Sequence, residues 1–344
     1  VLLPAIRVPL ARLGVWEQFL ADGPTPSPEI RSAWGSTELA AREHIYNPYG
    51  PAWHVDRARF DALLARAARE AGADVSLGTR VHRCEREPAG WLLAVERAGA
   101  RETVSARFVI DATGRAARMA RTAGARRIDH DGMVALVGRT AHGAASPTVI
   151  MIESARDGWW YSAPVPGGGL VVAFMTDAEL LGRSADTTEH WRRALDDTIH
   201  TRGRLASSQL DGAVRVTSAS TSSHDRVAGP GWVGAGDAAF ALDPLAGQGV
   251  FKALESGWRA ADVARTALAS DHVPVAALQH DADDRVARFL AMRRTYYESE
   301  TRWPDAPFWA ARRAGSRIGL AQAIHASVAD EEQVSAVLDQ SIDA

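Results

Sequence analysis

The sequence has a single cysteine, Cys84, among its 344 residues. A lone cysteine excludes an internal disulfide, a CxxC pair and a cysteine-based zinc site. Since disulfides are typical of oxidising compartments, their absence favours a cytoplasmic location. The chain also lacks any apolar run of the roughly 20 residues that a membrane-spanning helix requires. We therefore expect no transmembrane segment.

A strong excess of charge is also lacking. The formal net charge is −3, from 39 basic and 42 acidic residues. This balance provides no electrostatic basis for binding nucleic acid or an anionic membrane. Only one basic residue is a lysine, Lys252, and the other 38 are arginines. The content of 46% apolar and 24% charged residues is typical of a globular enzyme, and the length predicts about two domains.

The pattern GxGxxG, which follows the first strand of dinucleotide-binding domains and holds a pyrophosphate, is absent from the first hundred residues. Those residues nevertheless have an α/β pattern. It comprises a helix from about Pro9, a strand over residues 43–55, a helix capped by Asp56 and ended by Gly72, and another strand. The order strand, helix, strand predicts a βαβ unit.

Five β-rich runs with period-two alternation follow between about residues 132 and 220, and they predict an antiparallel sheet. The chain returns to an α/β pattern at residue 231 and ends in helices. We therefore expect an α/β fold with a discontinuous first domain and an inserted antiparallel β-sheet domain that binds substrate. The expected boundaries are residues 1–120 and 221–275 for the first domain, 121–220 for the inserted domain, and 276–344 for a C-terminal helical region.

The segment 231–264, GWVGAGDAAFALDPLAGQGVFKALESGWRAADVA, combines a short buried strand, several glycines and a helix. The glycines allow a tight turn that places Asp237 at its exit. Further along, Gly-Gln-Gly brings backbone N–H groups to the start of a helix, which suits an anion or an electron-rich ring. Glycine-rich turns also occur simply to pack a helix on a strand, and that is the alternative interpretation.

The motif GAGDAAFALDPLAGQGV resembles the second FAD motif of the flavin-dependent monooxygenases of the p-hydroxybenzoate hydroxylase class, which flavin-dependent halogenases share. The resemblance implies FAD as cofactor and a Rossmann-like FAD-binding domain. It also implies that the aspartate bonds a ribityl hydroxyl, that the following helix start faces the pyrophosphate, and that the later loop lies against the isoalloxazine ring. These roles fall on Gly236, Asp237 and Ala238, then on Pro244, Gly247, Gln248 and Gly249.

Two further segments resemble the same family. DRARFDALL is similar to its R-x-x-L-x-x-x-L helix, whose arginine reaches the flavin, which implies that role for Arg57; a surface arginine is the alternative. FVIDATG resembles the strand that ends in a conserved aspartate and glycine, which implies that Asp111 and Gly114 bind the cofactor, although the family's order is A-D-G. We expect that about 40 residues carrying GxGxxG precede Val1, by the size of a βαβ opening. A protein that has lost FAD is the alternative.

The reaction is inferred from one absence and one further resemblance. Flavin-dependent halogenases use an active-site lysine between the first FAD motif and the helix of Arg57, and residues 1–60 contain none. The halogenase pattern W-x-W-x-I-P is matched only loosely at residues 159–164. The segment YYESETRWPDAPFWAARR resembles halogenase-like flavoproteins that hydroxylate protein tryptophan during quinone-cofactor maturation; packing between helices is the alternative role of its aromatic residues.

The resemblance therefore implies a monooxygenase that hydroxylates an aromatic ring of a small molecule or peptide, with peptidyl tryptophan as one candidate, through a flavin C4a-hydroperoxide. NAD(P)H or a separate flavin reductase would supply electrons. The alternatives are a flavin-dependent halogenase, a polyprenyl reductase and a non-catalytic escort protein. No catalytic residue or metal site is assigned. The candidate pocket residues are Trp53, His54, Trp160 and Tyr161, and His54 is either an acid or base or a structural hydrogen-bonding group.

Overall fold

The computed structural model describes residues 1–141, 148–182, 186–205, 208–270 and 272–313. The helices within these ranges are α1 (Arg7–Arg12), α2 (Trp16–Ala21), α3 (Arg57–Glu70), α4 (Arg118–Thr122), α5 (Thr187–Asp196), α6 (His200–Leu205), α7 (Gly249–Ser270), α8 (Val275–Glu298) and α9 (Pro307–Arg313).

The strands within the same ranges are β1 (Thr25–Ser27), β2 (Glu29–Ala33), β3 (Ala40–Glu43), β4 (Ala52–His54), β5 (Thr79–Glu87), β6 (Gly90–Arg97), β7 (Ala100–Ala106), β8 (Val109–Asp111), β9 (Arg127–Asp129), β10 (Met133–Arg139), β11 (Ile150–Ala155), β12 (Gly158–Pro164), β13 (Leu170–Asp177), β14 (Arg215–Ser218), β15 (Ser222–His224), β16 (Ala228–Gly229) and β17 (Trp232–Gly234).

The helix α3 has the ends that the sequence predicts. Asp56 accepts hydrogen bonds from the first backbone N–H groups of the helix, so the predicted N-cap is confirmed. Phe60 and Leu63 are buried on one face. Gly72, just beyond the helix, has a left-handed φ of 92° that favours glycine. Capping residues and apolar spacing are local signals, which explains why they were sufficient here.

Two predictions for the N-terminal segment were wrong. The helix expected from Pro9 is divided into α1 and α2, because the chain turns at Gly14, where φ is 69°. The strand expected over residues 43–55 is reduced to β4, because backbone turns link His44, Asn47 and Gly50. The βαβ unit is also wrong: β4 pairs antiparallel with β1, whereas β5 belongs to the separate antiparallel sheet β5-β6-β7.

The largest sheet has seven strands in the order β14-β10-β13-β12-β11-β2-β3. The five strands from β10 to β14 pair antiparallel as predicted, but β11 pairs parallel with β2. Strands β2 and β3 precede residue 120, so two separate parts of the chain build this sheet. The predicted fold class is confirmed, because the protein has a mixed α/β fold with helices at its described C-terminal end. The domain boundaries stay a prediction.

The two faces of strand β12 bury different cores. Trp159 packs with Tyr297 of α8 and Trp309 of α9. Trp160, the next residue, points to the other face. There it stacks on Phe174, with ring centroids 4.8 Å apart, and meets the edge of Trp191 of α5. Helices α8 and α9 therefore cover one face of the sheet, and α5 and α6 cover the other. The sequence did not predict α5 and α6.

A smaller sheet, β16-β17-β8, carries the motifs that resemble an FAD site. Strands β8 and β17 run parallel, and Asp111 pairs with Gly234 at their carboxyl ends. Helix α7 follows β17 and packs against it through Ala260. Among the described helices, none is both long and apolar enough to cross a membrane.

Candidate functional site

The motifs of Asp111 and Asp237 meet at the carboxyl ends of β8 and β17. Ala235 N donates to the carbonyl oxygen of Asp111 at 2.9 Å, which joins the two strand ends. Side chains at this edge of a parallel sheet converge on the crevice where α/β folds bind ligands. The sequence alone indicated the two motifs, but only the parallel pairing brings them together.

The turn Gly236–Ala238 presents the carboxylate of Asp237. Gly236 has a left-handed φ of 59°, and its N–H donates to Ser256 Oγ of α7 at 2.7 Å. A Cβ at Gly236 would lie 3.4 Å from that of Ala253, in van der Waals contact with α7. Ala238 is buried beneath the turn. The turn is therefore fixed against α7, while the Asp237 side chain remains 32% exposed.

Two cations flank Asp237, and the sequence predicted no role in the site for either of them. Lys252 Nζ donates to its Oδ1 at 3.0 Å, and Arg115 Nε lies 3.7 Å from its Oδ2. Arg115 Nη2 also donates to the carbonyl oxygen of Leu242 at 3.2 Å. The available signals were modest: Arg115 directly follows Gly114, and Lys252 is the single lysine. Together they surround the predicted ribityl-binding carboxylate with positive charge.

The loop from Pro244 to Gly249 reaches the surface next to this turn. It opens with a 3-10 turn, Pro244–Ala246, and Gly247 has a left-handed φ of 64°. The side chains or backbones of Pro244, Gly247, Gln248 and Gly249 are exposed. Helix α7 starts at Gly249, and the first N–H groups of a helix lack helical acceptors. The loop therefore offers donors and open space for a large anionic ligand.

Asp243, at the start of this loop, is buried and was not predicted. Its carboxylate accepts from Leu245 N at 2.9 Å and from the Tyr297 hydroxyl at 2.8 Å. The Tyr297 hydroxyl in turn accepts from Trp159 Nε1 at 3.0 Å. Burial raises the pKa of Asp243, and it also raises the pKa of Tyr297. The chain of hydrogen bonds links the loop to α8 and to the seven-stranded sheet.

Asp111 uses its carboxylate inside the protein. Oδ1 accepts from the N–H and the hydroxyl of Thr113, at 3.0 and 2.6 Å. Oδ2 accepts from Met119 N at 2.7 Å and from Ala120 N at 3.4 Å. Gly114 has a left-handed φ of 63°. These contacts favour a structural role for Asp111, and cofactor binding by Asp111 and Gly114 stays a prediction.

Arg57 lies at the exposed start of α3 and pairs with Asp61 at 3.3 Å. The apolar face of α3 packs in one cluster with Phe251, near the start of α7. In addition, Leu3 lies about 3.5 Å from the position of a Cβ at Gly247. The Arg57 helix is therefore adjacent to the glycine-rich loop, but the contact of Arg57 with the flavin stays a prediction.

The four pocket candidates do not line one pocket. Trp53 meets Trp16 and Phe19 edge-on in a buried cluster. Trp160 is buried on the sheet face opposite to Tyr161. Only Tyr161 lies on the Trp159 face, against which Leu245 of the loop also packs.

His54 is buried, and its Nε2 lies 3.2 Å from the carbonyl oxygen of Thr148. Burial lowers the pKa of His54 to about 4, and Arg204 adds to this effect. The ring is therefore neutral at pH 7, with Nε2 carrying the proton. This geometry favours the structural interpretation of His54.

Residues 24–340 match the family model described as Tryptophan halogenase. The chain belongs to the tryptophan halogenase family. The family is flavin-dependent, so the protein is an FAD-dependent enzyme, as the sequence motifs predicted. The residues of the site fit this cofactor, because Asp237 stays accessible at its turn and the exposed Gly249 leaves open space where a side chain would otherwise lie.

The named relatives of this chain include an oxidoreductase and a halogenase. The chain is 25% identical over 292 residues to LodB of Marinomonas mediterranea, described as an FAD-dependent oxidoreductase, with 83% of this chain and 78% of that protein covered. It is 26% identical over 317 residues to the tryptophan 2-halogenase of Chondromyces crocatus, with 85% and 59% covered. The chain thus spans little more than half of that halogenase.

Solved structures show the same fold. The flavin-dependent halogenase CmlS superposes with a TM-score of 0.82 at 23% identity, covering 92% of this chain and 61% of that chain. The peptidyl tryptophan dihydroxylase QhpG, essential for tryptophylquinone cofactor biogenesis, superposes with a TM-score of 0.74 at 24% identity, covering 92% and 70%.

Proposed function

We propose that this chain is an FAD-dependent monooxygenase that hydroxylates an aromatic ring, and that peptidyl tryptophan is its substrate. The observation that carries the proposal is the position of Lys252. Lys252, the one lysine of residues 1–344, is buried in α7 against Asp237, so it is not available to direct a halogenating species towards a substrate. Residues 1–56, where the resemblance expects the halogenase lysine, contain none.

In this proposal Gly236, Asp237 and Ala238 would hold the ribityl chain, and the helical turn that begins there would face the pyrophosphate. The loop Pro244–Gly249, which leads into α7, would lie beside the isoalloxazine ring. When bound, the reduced flavin activates O₂ and supplies the oxygen atom that is added to the ring. NAD(P)H or a separate flavin reductase supplies the electrons.

The substrate ring belongs, in the same proposal, on the Trp159 face of the sheet. Tyr161 lies on this face together with Leu245 of the loop. Burial raises the pKa of Tyr161, so its phenol stays protonated and can donate a hydrogen bond. The apolar side chains around Tyr161 would exclude water from the substrate ring, which would limit unproductive loss of the oxidant. The likeness in fold to a peptidyl tryptophan dihydroxylase supports a tryptophan side chain as substrate. The cytoplasmic location stays a prediction.

Halogenation is the second candidate. The family model and three relatives named as halogenases favour it. A polyprenyl reductase is the third, since a geranylgeranyl bacteriochlorophyll reductase-like protein shares the fold with a TM-score of 0.64 at 21% identity. The three reactions differ in the mass that they add to the product.

The test uses the full-length protein loaded with FAD, a flavin reductase, O₂ and tryptophan-containing peptides, with and without chloride and bromide. We expect products heavier by 16 or 32 mass units, at the same rate in both media. Products with a chlorine or bromine isotope pattern, formed only with halide present, would overturn the proposal in favour of halogenation. A gain of two mass units on a polyprenyl substrate would indicate the reductase. A protein that binds no FAD would contradict all three, and would favour the escort.

A further inference from the structure

Lys252 is enclosed at the turn that follows β17. Its side chain is 8% exposed. Nζ donates to Asp237 Oδ1 at 3.0 Å and also to the carbonyl oxygen of Phe240. Nζ lies 4.3 Å from the centroid of the Phe240 ring, which is a cation–π distance. One ammonium group therefore ties α7 to both ends of the segment 237–240.

The chemistry of this enclosure selects lysine over arginine. The chain uses arginine at 38 of its 39 basic positions, so arginine serves wherever a basic side chain is sufficient. An ammonium is a compact point charge, whereas a guanidinium is a planar fork with five donors. The described acceptors around Lys252 Nζ are one carboxylate oxygen and one carbonyl oxygen. A guanidinium there would leave several buried donors without partners.

The contacts of Asp237 leave one of its oxygens available. Oδ1 is engaged by Lys252, whereas Oδ2 lies 3.7 Å from Arg115 Nε, beyond hydrogen-bond distance. Without Lys252 the carboxylate would be attracted to Arg115 alone and would turn towards it. The position of Oδ2 thus depends on the ammonium that holds Oδ1.

We propose that Lys252 is a positioning residue of the FAD site, which holds Asp237 by Oδ1 so that Oδ2 accepts the hydrogen bond of a ribityl hydroxyl. This inference rests on the proposed contact between Asp237 and the ribityl chain. Lys252 itself does not touch the flavin in this arrangement, because its Nζ is enclosed behind Asp237.

The energetics of burial support a strong coupling between the two residues. Burial lowers the pKa of Lys252, while the charge of Asp237 and its hydrogen bond act in the opposite direction. When one partner of such a pair is removed, the charge of the other remains buried without an opposite charge beside it. The two side chains therefore act as a unit, and their effects on FAD binding are expected to be non-additive.

The experiment measures FAD affinity by flavin fluorescence for Lys252→Met, Asp237→Asn and the double variant. We expect each single variant to weaken binding roughly 10-fold to 100-fold, as for loss of a charge-assisted hydrogen bond. The double variant should be no weaker than the weaker single variant. If Asp237→Asn binds FAD as tightly as wild type, the proposed ribityl contact itself fails. If only Asp237→Asn weakens binding, or the two losses multiply, the role of Lys252 is overturned.

Two controls separate positioning from general stability. Arg259→Met removes an exposed cation from the same helix, where it pairs with Glu255 and Asp281, and should change FAD affinity less than about twofold. Lys252→Arg keeps the charge but should bind as weakly as Lys252→Met. Wild-type affinity in Lys252→Arg would overturn the argument for lysine.

A spectroscopic measurement on the wild-type chain remains informative if a variant does not fold. Residues 1–344 contain one lysine, so labelling with ¹³Cε-lysine yields one side-chain NMR signal from this part of the protein. We expect this signal to shift when FAD saturates the protein, since the carboxylate that Lys252 contacts then acquires a new partner. A signal unchanged by FAD would contradict the proposal.

Discussion

The hydroxyl of Tyr297 on α8 donates a 2.8 Å hydrogen bond to Asp243, the residue that starts the glycine-rich loop. Both side chains are buried. The same hydroxyl accepts from Trp159 Nε1, so one oxygen connects the C-terminal helix, the sheet and the loop predicted to contact the flavin.

Tyr297→Phe should destabilise the protein by about 1–3 kcal/mol, because it leaves buried polar atoms of Asp243 and Trp159 without this partner. Urea unfolding measures the loss. Tyr296→Phe is the matched control, since Tyr296 is the neighbouring residue and is 53% exposed; its stability should stay within about 0.5 kcal/mol of wild type. Equal stability of the two variants would show that the buried hydrogen bonds contribute little.

Asp111→Ala should also destabilise the fold, by about 2–4 kcal/mol, because it removes the acceptors of Thr113, Met119 and Ala120 at the start of α4. Thermal or urea unfolding of the protein without FAD provides the test. Asp61→Ala, which removes an exposed carboxylate paired with Arg57, serves as the control and should cost less than about 1 kcal/mol. A loss in Asp111→Ala no larger than in the control would refute the structural role.

Substitutions at two glycines of the loop should distinguish the effect of backbone strain from the effect on ligand binding. Gly247→Ala should cost about 1 kcal/mol in stability, because φ at this position is 64°. At Gly249, a Cβ would meet no described atom within 4 Å. Gly249→Ala should therefore keep full stability without FAD, yet weaken FAD binding if the loop lies against the ring. Unchanged FAD affinity in Gly249→Ala would argue against that placement of the loop.

Glu300 should make stability depend on pH in the acidic range. Burial raises its pKa, but bonds from Arg302, Ser154 and Gly35 outweigh this and bring the pKa to about 2, from 4.5. As the pH falls, Glu300 therefore becomes protonated at a higher pH in the unfolded chain than in the folded chain. The contribution of the Glu300 carboxylate to the free energy of unfolding is fully present above pH 4.5 and is lost as the pH falls towards 2.

Urea unfolding at pH 5 and pH 3 tests this expectation. Glu300→Gln should lower stability at pH 5, and its difference from wild type should shrink at pH 3. Glu189→Gln is the control, because the Glu189 side chain is 46% exposed and pairs with Arg193; its difference from wild type should be small at both pH values. A constant difference for Glu300→Gln would exclude the depressed pKa.

Local signals predicted the elements that depend on neighbouring residues. The Asp56 cap, the alternation of β10 to β14 and the Gly236–Asp237 turn were all readable from spacing and residue type. The sequence did not predict the features that depend on contacts between residues far apart in the chain. The parallel pairing of β2 with β11 is one example. A second is which face of β12 meets the loop, since the alternation of the strand fixes only that Trp160 and Tyr161 lie on opposite faces.

The sequence by itself determined the α/β class, the flavin motif and its likeness to a flavoprotein family, because turn glycines, capping residues and strand periods act over a few neighbouring positions. The tertiary structure alone decided the partners of Asp237 and Asp243. Lys252 and Tyr297 lie 15 and 54 residues further along the chain. No local pattern specifies such pairs, since they form only when burial forces distant charged and polar groups to satisfy one another.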